Sequence, residues 1–194
     1  MSRPGLASRR APALAAGLAA AALALLATGC LPHVVVIPAG EAGPGDELTG
    51  QPAVREGWTA YLVGGALRVE APSGWTARGD ANRIRLDAEG SARLEAWRVD
   101  DRFEGGKACL AAAEASLERG EAQLSHVRRH PTTLAGRPAV VQEADAAGWH
   151  GWAYAVCAGG SQYRLVFTGR SPIGAPLLEA WREVVKGVRL GGDA

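Results

Sequence analysis

Short runs of strict alternation, punctuated by glycine-centred turns, limit what this chain can fold into more than any other feature. Ile84, Leu86 and Ala88 alternate with Arg83, Arg85 and Asp87, and Ala92, Leu94 and Ala96 with Arg93, Glu95 and Trp97. A period of two sends successive side chains to opposite faces, the pattern of a half-buried strand. Trp58 to Val63 and Ala66 to Glu70 flank Gly64-Gly65, a connection of the hairpin type, and Pro72-Ser73-Gly74-Trp75 then turns the chain. Further strands are expected over Leu124 to Leu134, Arg137 to Asp145, Gly148 to Ala158 and Ser161 to Thr168, with turns at Ala135-Gly136 and Gly159-Gly160.

The period lengthens twice. Between Gly105 and Gln123, Leu110, Ala113 and Leu117 form a helical stripe. From Ala175 to Gly187, Leu177, Leu178, Trp181, Val184 and Val185 take one side, with Glu179, Arg182, Glu183 and Lys186 on another. Strands, a helix, more strands and a closing helix predict an α+β fold: an antiparallel sheet of six to eight strands carrying helices.

The first 30 residues follow a different logic. Ser2 to Arg10 is basic, Ala11 to Leu26 is an apolar run of export-signal length, and the small residues Ala27, Thr28 and Gly29 precede Cys30. Leu26-Ala27-Thr28-Gly29-Cys30 resembles the lipobox of bacterial lipoproteins, with Ala27 standing where a large aliphatic is usual. The resemblance implies cleavage before Cys30 and lipidation of that residue. Two or three acyl chains, at about 0.8 kcal/mol per buried methylene, make a firm membrane anchor. The competing reading, an uncleaved anchor helix, is disfavoured by the short run and by Leu31-Pro32, which breaks helix geometry. The lipoprotein pattern has Asp after the cysteine for inner-membrane retention; Leu31 favours the outer membrane where the cell has one. Residues 1–29 are thus expected to be a signal peptide, 30–57 a lipidated Pro- and Gly-rich tether, 58–190 the folded domain and 191–194 a tail.

"LRVEAPSGW" (Leu67 to Trp75), "TTLAGRPAVV" (Thr132 to Val141), "YRLVFTG" (Tyr163 to Gly169) and the closing tryptophan-bearing helix resemble the PsbP-like superfamily. That family includes an extrinsic photosystem II protein, a nuclear-import factor that binds the GTPase Ran, and bacterial lipoproteins. The resemblance implies an α/β/α sandwich around an antiparallel sheet and a non-catalytic accessory or binding role, here for an envelope protein or a small ligand.

With Cys30 assigned to lipid, Cys109 and Cys157 remain as an even pair in an exported domain. Trp149, Gly151, Ala153, Ala155 and Cys157 share one strand face, small enough for a helix to sit close, so a helix-to-sheet disulfide is reasonable. Two buried free thiols are the alternative. A catalytic or metal role finds no support, since neither cysteine has a Cys-x-x-Cys partner or an adjacent histidine.

Other chemistries fail on residue type. The formal charge of +1 includes Arg3, Arg9 and Arg10, and without them 18 basic face 20 acidic residues, which gives no electrostatic footprint for nucleic acid. Gly106-Lys107 lacks the glycine and hydroxyl of a phosphate-binding loop, and Gly159-Gly160-Ser161-Gln162-Tyr163 is no nucleophile elbow. No cofactor motif is present. His126 and His130 fall on a strand, about 13 Å apart, too far for one metal ion, although His150 could join one of them from a neighbouring strand.

One surface is suggestive. His150, Trp152, Tyr154 and Val156 share the face opposite Cys157, and Trp97 could lie with them. Left open, they form a stacking platform for a peptide, glycan or lipid; covered, they are core. No catalytic residue is assigned. The alternative, an envelope hydrolase, requires a pocket in which His150 meets a carboxylate such as Glu143 or Asp145.

Overall fold

A computed structural model describes residues 51–191, apart from 54 and 89. The expected signal peptide (residues 1–29), Cys30 and residues 31–50 of the expected tether lie outside the described residues. The elements are β1 (Gln51–Pro52), β2 (Trp58–Val63), β3 (Leu67–Pro72), β4 (Thr76–Gly79), β5 (Arg83–Ala88), β6 (Ala92–Arg102), α1 (Gly106–Arg119), a 3-10 turn (Glu121–Gln123), β7 (Ser125–Leu134), β8 (Arg137–Ala146), β9 (Trp149–Ala158), β10 (Ser161–Arg170), α2 (Ala175–Gly187) and β11 (Arg189–Leu190).

The strands form a seven-stranded sheet, β4-β5-β6-β10-β9-β8-β7, and a four-stranded sheet, β1-β2-β3-β11. Every pairing is antiparallel. The fold class is α+β, as the alternation implies. The second sheet was not anticipated: alternation identifies which face of a strand is buried, and leaves open which sheet the strand joins. Pairing begins earlier than the composition suggests, because Gln51 and Pro52 face Ala60 and Thr59 at a sheet edge. Proline is tolerated there because an edge strand has an unpaired side.

The two helices lie on opposite faces of the large sheet. α1 crosses β8, β9 and β10. On the other face the small sheet lies over β5 and β6, and α2 packs beside β3. The main core fills the space between, with Val63, Leu67, Val69, Leu86, Leu94 and Phe167 each 0% exposed. A smaller cluster under α1 joins Leu117 to Val140, Ala153 and Val166.

Gly64 shows how closely the hairpin docks. Its φ is +57°, and a Cβ there would lie 2.7 Å from Arg98 Cβ and 3.1 Å from the Tyr163 ring. Only glycine gives both the left-handed turn and the approach.

Candidate functional site

The period of β9 divides it as expected. Gly151, Ala153, Ala155 and Cys157 face α1, while His150, Trp152, Tyr154 and Val156 face the main core. That second face is covered. Trp181 of α2, 4% exposed, stacks 4.9 Å from Phe167 at 11°, 6.4 Å from Trp152, and meets Tyr154 edge-on at 5.9 Å. Trp152 and Tyr154 remain half-buried at the rim. Burial pushes the Tyr154 hydroxyl pKa up, and the charge of Glu143 adds to it. Trp97 is separated from them: it pairs with Arg164 and joins the cluster on the α1 face. The structure therefore brings His150, Trp152 and Tyr154 together and excludes Trp97.

Cross-strand register builds a polar rim beside them. Asp145 sits opposite His150, and Glu143 opposite Trp152. His150 Nδ1 lies 2.6 Å from Asp145 Oδ1, and His150 Nε2 lies 3.3 Å from Glu143 Oε1. A bulge between Ser125 and Arg128 carries His126, at φ +51°, so that its Nδ1 reaches Asp145 Oδ2 at 2.9 Å. Bulges re-aim side chains in this way. Hydrogen bonds from His150, then His126, hold the Asp145 carboxyl below its usual range.

His150 thus meets both carboxylates. Each ring nitrogen faces one, which leaves neither directed at a substrate. Ser125 Oγ donates to the main-chain carbonyl of Asp145 at 3.4 Å and contacts no imidazole nitrogen. Among the described residues, no three His, Cys, Asp or Glu side chains are arranged to hold a metal ion.

On the other face, Cys109 and Cys157 are bonded, with their Cα atoms 6.2 Å apart. Arg164, 2% exposed, lies under α1 and donates from Nη2 to the Ala113 carbonyl at 3.2 Å. Among the described residues, its Nη1 and the Gln162 Nε2 have no hydrogen-bond partner. Burial, followed by the charge of Arg119, pushes the Arg164 pKa down to about 10. The sequence carried a signal for this residue: "YRLV" places an arginine inside an otherwise apolar run, opposite Ala155 on the face where β9 carries Gly151, Ala153 and Ala155.

α1 packs over β8, β9 and β10, away from the same face of β4, β5 and β6. Arg78, Arg83, Arg85 and Arg93 stand there with Asp87 and Glu95. Arg85 and Arg93 share Asp87 at 2.9 and 3.0 Å, and Arg83 reaches Glu95 at 3.3 Å and lies over Trp97. Arg78 is exposed and directly opposite Arg85. Like charges paired across strands are destabilising.

No protein-family model and no curated protein matches the chain. Among solved structures, the fold is similar to that of cyanobacterial PsbP (CyanoP) from Synechocystis, at a TM-score of 0.50 and 9% identity, covering 74% of this chain and 98% of that one. The PsbP-like fold expected from "LRVEAPSGW" and the closing helix is therefore the fold observed. A structure from Bacteroides thetaiotaomicron matches at a TM-score of 0.42 and 10% identity, over 69% of this chain and 48% of that one. Among the described residues, no helix is long and apolar enough to cross a membrane.

Proposed function

We propose that this chain is an envelope lipoprotein, anchored through acylated Cys30, whose domain docks an acidic surface of an envelope protein and performs no catalysis. The observation that carries the docking role is the open half-sheet. Four arginines face two carboxylates there, and Arg78 sits against Arg85, an arrangement that an anionic partner relieves. Guanidinium groups on a flat sheet suit carboxylate recognition because their donors form a fixed fork. Residues 31–50 then act as the tether.

The non-catalytic reading is supported by the engagement of both His150 nitrogens. A hydrolase reading has one observation in its favour, the convergence of Glu143 and Asp145 on that ring. It demands a free imidazole nitrogen. Glu143→Gln tests it: a catalytic His150 predicts an altered pH profile for an envelope ester or amide substrate, and a structural one predicts no turnover in either protein.

Two experiments test the main reading. Cys30→Ser releases the protein from membranes or blocks processing, and mass spectrometry of the wild-type finds acyl chains on Cys30; bare Cys30 overturns the anchor. A photo-crosslinking side chain at Thr76, on the arginine face, captures a protein in intact cells, and Arg78→Glu abolishes the adduct. The same probe at Glu179 on α2 serves as control. Lipid adducts in place of protein, or adducts indifferent to Arg78→Glu, defeat the docking proposal.

A further inference from the structure

A cleft of about 120 Å3 opens where α1 begins, lined by Cys109, Cys157, Arg137 and the glycine pairs Gly105-Gly106 and Gly159-Gly160. The glycines leave the mouth bare: a Cβ built on Gly105, Gly106 or Gly159 meets no atom within 4 Å. The two sulfur-bearing residues are unequal. Cys109 is 1% exposed, whereas Cys157 is half-buried. Structural disulfides are ordinarily sealed from thiols; this one forms part of a cleft wall.

We propose that the Cys109–Cys157 disulfide is a thiol-exchange site, taking a small thiolate of the cysteine or glutathione class at Cys157 and expelling Cys109. The incoming sulfur uses a lone pair to bond Cys157 Sγ. The Cys157–Cys109 bond breaks, and its electron pair leaves on Cys109 Sγ as thiolate. That sulfur sits on the fourth residue of α1, whose amide donates to the Gly105 carbonyl at 3.2 Å. The first turn has no acidic residue and no side-chain cap, so the helix start offers its partial positive charge to the departing anion. Arg137 adds a cation at the cleft, which favours approach of the attacking thiolate. Cys109 then takes a proton from water, and the resulting thiol has the Ser161 carbonyl 4.0 Å from its sulfur as acceptor. A second thiol attacks the external sulfur of the mixed disulfide, releasing Cys157 as thiolate together with the small-molecule disulfide. The product has α1 no longer tied to β9.

The test treats the native full-length protein with reduced glutathione, quenches with acid, blocks free thiols with N-ethylmaleimide and maps the peptides, which also separates Cys30. Glutathione is expected on Cys157 at about tenfold excess over Cys109, with the maleimide on Cys109. Glutathione on Cys109, or no adduct until denaturant is added, overturns the proposal. Single variants give an independent reading, with folding checked by tryptophan fluorescence. The free Cys157 of Cys109→Ser reacts with maleimide about tenfold faster than the free Cys109 of Cys157→Ser, and equal rates overturn it.

Discussion

The two faces of the seven-stranded sheet are closed by different chemistry. One is sealed by apolar layers, with Trp181 stacked on Phe167 and flanked by Trp152 and Tyr154. The other is half sealed by α1, held with a disulfide over a buried arginine, and half left open as a ladder of charge. The first face carries stability. The second face carries the groups whose burial or opposition costs free energy, and those are the groups available for other uses.

The comparison breaks most sharply at Trp181. Trp181→Ala removes the side chain that closes the aromatic face and is expected to cost about 4 kcal/mol in chemical denaturation. A loss below about 1 kcal/mol shows that the closure is not where stability resides. On the other face, the Cys109→Ser, Cys157→Ser double variant frees a link across 48 residues, with an expected loss of about 3 kcal/mol at an unchanged fold.

Arg164→Met is expected to act in the opposite direction. Among the described residues the buried guanidinium has no carboxylate partner, so a thioether of similar length raises stability by about 2 kcal/mol. Destabilisation instead reveals that the bond to the Ala113 carbonyl outweighs the desolvation.

Acid probes the rim. The lowered Asp145 pKa means that the folded state binds fewer protons than the unfolded state near pH 4, so stability is present above the unfolded value and is lost as pH falls through the folded one. Asp87 behaves alike: burial works against its charged form, and hydrogen bonds from Arg85 and Arg93 outweigh it to lower its pKa. Asp145→Asn therefore flattens the acid limb of the urea midpoint between pH 5 and 3, leaving the parts due to Asp87 and to Glu183, whose carboxyl pKa the Lys186 hydrogen bond also lowers. The smallest effect is at Arg78. Arg78→Glu converts a like-charge pair with Arg85 into an attractive one and raises stability by about 0.5 kcal/mol, while abolishing the crosslink to a partner.

Legibility followed the same division. The strands from Arg83 to Ala96 were readable because one side of each is apolar, and the hairpins at Gly136 and Gly159 because glycine marks their turns. The closing helix from Ala175 to Gly187 was readable to the residue, since Trp181 and Val184 fall on one stripe. β4 was missed because Thr76–Gly79 buries only Ala77, too little for a period to register. β11 was missed because two residues have no period at all. The small face of β9 pointed to a helix above it, and the disulfide followed. The rim was half visible: His150, Glu143 and Asp145 were candidates, but His126 joins Asp145 only through a bulge, which shifts register without marking composition. Trp97 was misplaced because alternation fixes side within a strand and says nothing of how strands align across a sheet.

The two-residue β1 has a mechanical meaning. On the anchoring proposed above, a pull on Cys30 would enter the described fold at Gln51. Its first resistance is the pairing of Gln51 and Pro52 with Ala60 and Thr59, together with the Arg55–Glu183 contact at 3.0 Å. A strand this short peels from its edge under little load. Residues 51–57 then pay out roughly 24 Å of slack, at about 3.4 Å per residue, before force reaches β2. Under that proposal β1 would act as a shock absorber, yielding before the core behind it is loaded.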